Sequence, residues 1–143
     1  MEYYHIKKEF KTAWQKKILQ WYSKNKRDLP WRQKKNQQFY NIWISEVMLQ
    51  QTTVKTVIPY YDKFLKKWPN LETFFNASLD EILLVWQGMG YYQRAKNLYL
   101  AKEILKKEKI NINLEDLKKL PGIGDYVSSA ICAILIDQNC TVI

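Results

Sequence analysis

Glycine and proline are scarce in this chain, and the glycines are clustered. Only four glycines and four prolines occur in 143 residues, too few for an all-β protein rich in tight turns. The four glycines fall in two Gly-x-Gly breaks, Gly88-Met89-Gly90 and Gly122-Ile123-Gly124. Between the breaks, apolar residues recur at helical spacing. Phe10, Trp14, Ile18, Trp21 and Tyr22 share one face of a first helix, with lysines on the other, and Asp28-Leu29-Pro30-Trp31 ends it in a proline turn. Residues 32 to 38 are polar and basic and form a loop. A second helix is expected from about Asn41 to Thr52, and a third follows to about Trp68, with Pro59 near its start or at a kink. Ser78 and Glu81 form a capping box for a helix over Leu79 to Trp86. A basic helix from Tyr92 to Lys107 turns Leu98, Ala101 and Leu105 inward. Asn113 and Asp116 cap a short helix ending near Leu120, and Asp125 to Ile136 is a last apolar helix. The expected fold class is all-α, with no repeat, low-complexity tract or convincing strand.

Composition narrows the partners. Hydrophobic residues make up 47% of the chain, which excludes a disordered polypeptide and fits one ordinary domain with a buried core. Six Trp and ten Tyr serve a packed core or stacking on bases. The net charge of +9 favours a polyanion, either nucleic acid or an acidic membrane surface. A solubilising lysine surface is the plainer alternative. There is no secretory signal and no run of apolar residues long enough to span a bilayer. Cys132 and Cys140 do not have the spacing of a metal-ligand pair, so reduced thiols in the cytoplasm are expected, with Cys132 packed in the core. His5 is the only histidine and lies near a terminus, a poor candidate for catalysis, so no Ser-His-Asp triad or His-rich metal site is expected.

Three motifs carry candidate chemistry. In Ser45-Glu46-Val47-Met48-Leu49-Gln50-Gln51-Thr52, helical geometry surrounds Glu46 with Ile42, Trp43, Leu49 and Gln50. A carboxyl among apolar neighbours resists ionising and suits a general acid near neutral pH; a partly exposed glutamate at a helix rim fits the same pattern. Leu120-Pro121-Gly122-Ile123-Gly124 joins two helices as a helix-hairpin-helix would, turning backbone amides toward a phosphate. A simple C-cap and turn is the alternative, and Asp125 suits the helix dipole but repels a phosphate there. Gly88-Met89-Gly90-Tyr91-Tyr92 places an apolar side chain beside two rings, either as a wedge into stacked bases or as core filling.

Taken in order, Leu29-Pro30-Trp31-Arg32, SEVMLQQT at 45 to 52, VIPYYDKF at 57 to 64, GMGYYQRAKNL at 88 to 98 and LPGIGDY at 120 to 126 resemble the adenine DNA glycosylases of the helix-hairpin-helix, endonuclease III-like superfamily. The resemblance runs from about Trp21 to the last residue. It implies a helix-hairpin-helix glycosylase fold, present mainly as its six-helix barrel plus an N-terminal helix. The domains expected are residues 1 to 27, a helix that in the family packs on an iron–sulfur domain, and residues 28 to 143, the glycosylase domain.

The implied activity is hydrolytic removal of adenine mispaired with 8-oxoguanine or guanine, in base excision repair. The implied partner is double-stranded DNA carrying that mismatch, not a membrane, and the expected location is the nucleoid-associated cytoplasm. Glu46 would protonate adenine at N7, while Leu29, Trp31, Arg32 and Leu49 would line the adenine pocket. Gln51 and Met89 would fill the gap in the duplex, beside Thr52 and Tyr91, and Gly122, Ile123 and Gly124 would hold the DNA backbone. Bifunctional relatives carry a catalytic lysine at the position of Tyr126. A tyrosine there implies hydrolysis without efficient strand cleavage.

The resemblance also sets out departures. The family continues after the segment equivalent to residues 141 to 143 with Asp-Gly-Asn-Val, whose aspartate supports the oxocarbenium-like sugar. Asp137 lies too early to replace it. The family's 4Fe–4S cluster needs four cysteines that this chain does not supply, so no cofactor is expected. The expectation is a C-terminally incomplete glycosylase, weak or inactive by itself, with a missing C-terminal half as a further partner. A non-catalytic helix-hairpin-helix DNA-binding module and a thymine or uracil mismatch glycosylase are the alternatives.

Overall fold

A computed structural model describes residues 8 to 136, with side chains from Thr12 onward. His5, the side chain of Phe10, Asp137, Cys140 and residues 141 to 143 lie outside the described residues. Helices α1 (Lys8–Asn25), α2 (Phe39–Leu49), α3 (Val54–Lys67), α4 (Leu71–Phe74), α5 (Leu79–Trp86), α6 (Gln93–Lys107), α7 (Leu114–Leu117) and α8 (Asp125–Ile136) follow in order, with 3-10 turns at Pro30–Arg32 and Lys34–Asn36. No strand occurs among the described residues, as the sparse glycines imply. No helix among them is long and apolar enough to cross a membrane.

α2 is the central element. It packs against α3 and α8 and buries every residue from Tyr40 to Met48 except Glu46. A helix this apolar on all sides needs cover on all sides. The cover is largely aromatic. Phe39 stacks on Trp43 at 5.6 Å, and Phe74 meets Tyr40, Trp43, Phe64 and Trp68 with ring centroids 5.3–6.2 Å apart. The Tyr40 hydroxyl donates to the carbonyl of Trp68 at 2.8 Å, tying α2 to the end of α3.

Local chemistry explains most helix boundaries. Ser78 and Glu81 form the expected reciprocal box at α5, the Ser78 amide donating to Glu81 Oε2 at 2.9 Å. The Asn113 side chain accepts the Asp116 amide at 2.8 Å. α4 has no counterpart in the sequence reading, although Asn70 and Thr73 form a second capping box there. α2 stops at Leu49 instead of reaching Thr52, because Gln51 turns to φ +58° and ends the helix. Pro59 lies inside α3 without ending it.

α1 stands apart from this core. Every described side chain of α1 from Thr12 on is exposed, and Trp14, Ile18 and Trp21 are each more than half exposed. The apolar stripe expected on this helix therefore lies open.

α6 carries two buried cations, Arg94 and Lys102. Lys102 is 1% exposed. Its Nζ donates to the carbonyls of Ala77 at 2.6 Å and Phe75 at 3.5 Å, and pairs with Glu103 at 2.7 Å. It thereby satisfies carbonyls left over where α4 ends. Replacing Lys102 with Met keeps the aliphatic bulk but orphans those carbonyls. Urea denaturation should then show a loss of about 1–3 kcal/mol. Glu103→Gln, which leaves the carbonyl contacts in place, should have the smaller effect of the two.

Candidate active site

The open face of α2 forms one wall of a cleft of about 1290 Å³. The segment after α1 supplies a second wall and the exposed side of α8 a third. Seven residues singled out from the sequence line this one cleft: Leu29, Trp31, Arg32, Glu46, Leu49, Gln51 and Tyr126. The local reasons are plain. The 3-10 turn at Pro30 buries Leu29 and Trp31, and Trp31 meets Tyr61 of α3 edge-on at 5.4 Å. Arg32 stays exposed, lying 5.7 Å above the Tyr22 ring and donating to the Arg27 carbonyl at 3.4 Å. The end of α1 and the residues after it are thereby drawn to the cleft mouth, and Lys26, Arg27 and Asp28 join the lining.

Glu46 is the half-buried carboxylate on that wall. Burial pushes its pKa above the ordinary value of 4.5, and it is the one cause in play. A carboxyl held this way keeps its proton to higher pH. Tyr126 is half exposed, and its hydroxyl pKa is raised first by the charge of Glu46 and then by burial. The two groups therefore share one electrostatic neighbourhood. The lysines before the hairpin are engaged elsewhere. Lys118 pairs with Asp125 at 3.1 Å and Lys119 with Asp116 at 2.7 Å. The first pairing also answers the charge of Asp125 at the start of α8.

The cleft field is positive on balance. Lys26, Arg27, Arg32 and Arg94 line the cleft against two acidic side chains, Asp28 and Glu46.

Arg94 is the residue that sequence reasoning missed. Its Nη1 donates to the carbonyls of Met48 at 2.6 Å, Val47 at 3.2 Å and Gln50. Its Nη2 reaches Thr52 Oγ1 at 2.9 Å and the Gly90 carbonyl at 3.2 Å, and its Nε reaches the Tyr91 carbonyl at 3.4 Å. The guanidinium also lies 5.2 Å from the Trp86 ring and 5.6 Å from the Tyr91 ring. It caps the C-terminus of α2, where a cation is favoured. Nothing in a lysine-rich helix marks one arginine for this position; its place among the apolar inward positions beside Ala95 and Leu98 was the available signal.

The two loops that meet at Arg94 differ in what they expose. Gln51 and Tyr91 are exposed, and both adopt positive φ, +58° and +47°. Such backbone costs a non-glycine residue about 1–3 kcal/mol. Met89, the other residue proposed from the sequence to enter the duplex, is only 6% exposed and packs with the core. Its amide donates to the Trp86 carbonyl at 3.0 Å, closing the turn that carries it. Thr52 is half-buried, turned to Arg94.

The hairpin lies apart from the cleft lining. Gly122 has φ +80°, and a Cβ there would sit 2.9 Å from Asn97 Cβ, so glycine is required. Gly124 faces open space, leaving room for close approach of another backbone. Ile123 is buried between them and anchors the turn. The Gly124 carbonyl accepts from the Ser128 amide at 3.1 Å and from its hydroxyl at 2.8 Å. The first amides of α8 have no acceptor within their own helix.

The residues present do not fit a four-thiolate cluster. The chain has two cysteines, and Cys132 is buried on α8. Among the described residues no three His, Cys, Asp or Glu side chains stand together as a metal site.

Comparison with known proteins accords with this geometry. The family model for HhH-GPD superfamily base excision DNA repair proteins matches residues 44 to 139. Over 124 residues the chain is 47% identical to an adenine DNA glycosylase of Buchnera aphidicola subsp. Schizaphis graminum, covering 84% of this chain and 35% of the relative. Over 137 residues it is 41% identical to the adenine DNA glycosylase of Rattus norvegicus, covering 89% of this chain and 27% of the relative. The chain thus spans about a third or less of the length of these relatives. A solved thermostable thymine-DNA glycosylase superposes with a TM-score of 0.78 at 27% identity, covering 89% of this chain and 59% of that one. The family match and the helical fold give one conclusion: the chain belongs to the HhH-GPD superfamily of base excision DNA repair proteins.

Proposed function

We propose that this chain carries the base-binding and proton-donating part of a monofunctional adenine DNA glycosylase acting on adenine opposite 8-oxoguanine or guanine. The observation that supports this most is Glu46, a half-buried carboxyl of raised pKa on the wall of a cleft with apolar walls and a cationic rim. The relatives named adenine DNA glycosylase supply the choice of base.

The duplex docks through the hairpin, where amides around Gly122, Ile123 and Gly124 meet phosphate oxygens. The target adenine leaves the stack and enters the cleft. Leu29, Trp31 and Leu49 contact its faces and edges, with Arg32 at the mouth. Gln51 takes the space vacated in the duplex, with Tyr91 beside it. Protonated Glu46 donates to N7 of adenine. The glycosidic bond then breaks with its electron pair going to the base, and water adds to C1′ of the sugar cation, its released proton returning to the Glu46 carboxylate or to solvent. The products are free adenine and an abasic site. Tyr126 offers no amine, so no Schiff base forms and the strand stays intact.

Thymine removal is the second reading, since the solved structure that superposes on this chain is a thymine-DNA glycosylase. Single-turnover assays on duplexes with A:8-oxoguanine, A:G and T:G pairs separate the two. Any base the chain releases, however slowly, should be adenine, with strand breakage only after alkali. Thymine release, or breakage without alkali, would overturn the adenine and monofunctional assignments respectively. Glu46→Gln should lower excision by about 10²–10⁴-fold while duplex affinity stays nearly unchanged.

The same substitution should affect stability in a definite direction. Between the ordinary pKa of 4.5 and the raised value, the folded chain keeps a proton that the unfolded chain has released. Stability is therefore lost as pH rises through that window. Glu46→Gln escapes this loss. It should melt higher than the parent at pH 7, by about 2–4 °C per kcal/mol of desolvation relieved, and the gain should vanish below the ordinary value. Melting curves from pH 4 to 8 provide the check.

A further inference from the structure

Gln51 and Tyr91 are the positive-φ non-glycine residues among the described residues, and one guanidinium binds the backbone at both. Arg94 takes the carbonyl of Gln50, immediately before Gln51, and the Thr52 hydroxyl immediately after it. It also takes the carbonyls of Gly90 and Tyr91. The loops are about forty residues apart in sequence, and an arginine fork presents several donors in a fixed plane. Movement of either loop pulls on the same planar group.

We propose that Arg94 is a positioning residue that locks the Gln50–Thr52 turn and the Gly88–Tyr91 loop into one unit, so that Gln51 and Tyr91 meet a duplex together. This rests on the reading that these two residues are the ones that meet DNA. The coupling itself does not depend on that reading. The Arg94 donors are held by carbonyls of α2 and the two loops and by the Thr52 hydroxyl. The residue acts through the backbone that aims the two exposed side chains.

Two measurements on the intact chain test it. The first needs no DNA. Thr52→Val removes a hydroxyl that contacts Arg94 but no residue of the other loop. Amide exchange followed by NMR should accelerate about tenfold at Gln50 and position 52, the effect of losing a hydrogen bond to a charged group. It should accelerate as well at Met89 and Arg94, whose amides donate to Trp86 and Tyr91 in the distant loop. Acceleration confined to residues 50 to 52 overturns the coupling. The second uses a duplex with 2-aminopurine in place of the mispaired adenine. With saturating Arg94→Lys, and with Thr52→Val should the lysine variant fail to fold, emission from the unstacked base should fall at least threefold while Kd changes less than threefold. Loss of fold would weaken binding instead. Full emission in a folded variant overturns the proposal. Absence of emission with the parent chain overturns the reading that Gln51 and Tyr91 enter the duplex, and leaves the exchange result to decide whether Arg94 couples the loops.

Discussion

The guanidinium of Arg94 is a buried cation whose hydrogen-bond partners among the described residues are neutral. Burial lowers its pKa, yet an arginine stays charged in a protein, so the desolvation must be offset by dipoles. Carbonyls of α2 and of two loops, the Thr52 hydroxyl and the faces of Trp86 and Tyr91 supply them. The C-terminal end of α2, where carbonyls point outward unpaired, is the natural place for such a charge. α2 thus ends at Leu49, and the chain turns sharply into an exposed Gln51. Along α6 the same device recurs at Lys102, which collects the carbonyls where α4 ends. Between these two, Asn97 sits against Gly122 and fixes the approach of the hairpin. One helix therefore meets three separate backbone turns, two by polar contacts to the main chain and the third by the close packing of Asn97 on Gly122.

That arrangement explains which parts were legible in the sequence. The helices followed from periodicity because their apolar faces do meet the core, and α5 and α7 started where Ser78 and Asn113 could cap them. Glu46 was legible because its neighbours within one helical turn are fixed by geometry alone, and three of the four, Ile42, Trp43 and Leu49, are apolar. The cleft drew together Leu29, Trp31, Leu49 and Tyr126, residues distant in sequence, whose meeting was expected from the resemblance and not from spacing.

What stayed hidden depends on contacts between distant segments. The end of α2 is decided by a residue 44 positions later, so local pattern extended the helix too far, to Thr52. α4 is a single turn held by Asn70 and Thr73 and by the aromatic cluster around Phe74, too short to show a period. Met89 was ambiguous from the start, because a methionine beside two tyrosines fits a wedge or a core; in the free chain its side chain lies inside.

The electrostatics of Glu46 bear on the same cleft. Arg94 and Glu46 line one cleft, and a free arginine beside a carboxylate would form an ion pair and pull its pKa down. Arg94 does not do so here. Its Nη1, Nη2 and Nε already donate to carbonyls and a hydroxyl, and none of the ion pairs among the described residues involves Glu46. Burial therefore acts on the carboxyl without an opposing partner. The cleft lining carries more basic than acidic side chains, suited to a polyanion, and within it an acid that keeps its proton to higher pH than an exposed carboxyl. These properties would cancel if a cationic side chain of the cleft paired with Glu46. They coexist because none of the ion pairs among the described residues involves it, and the donors of Arg94 are spent on carbonyls and a hydroxyl.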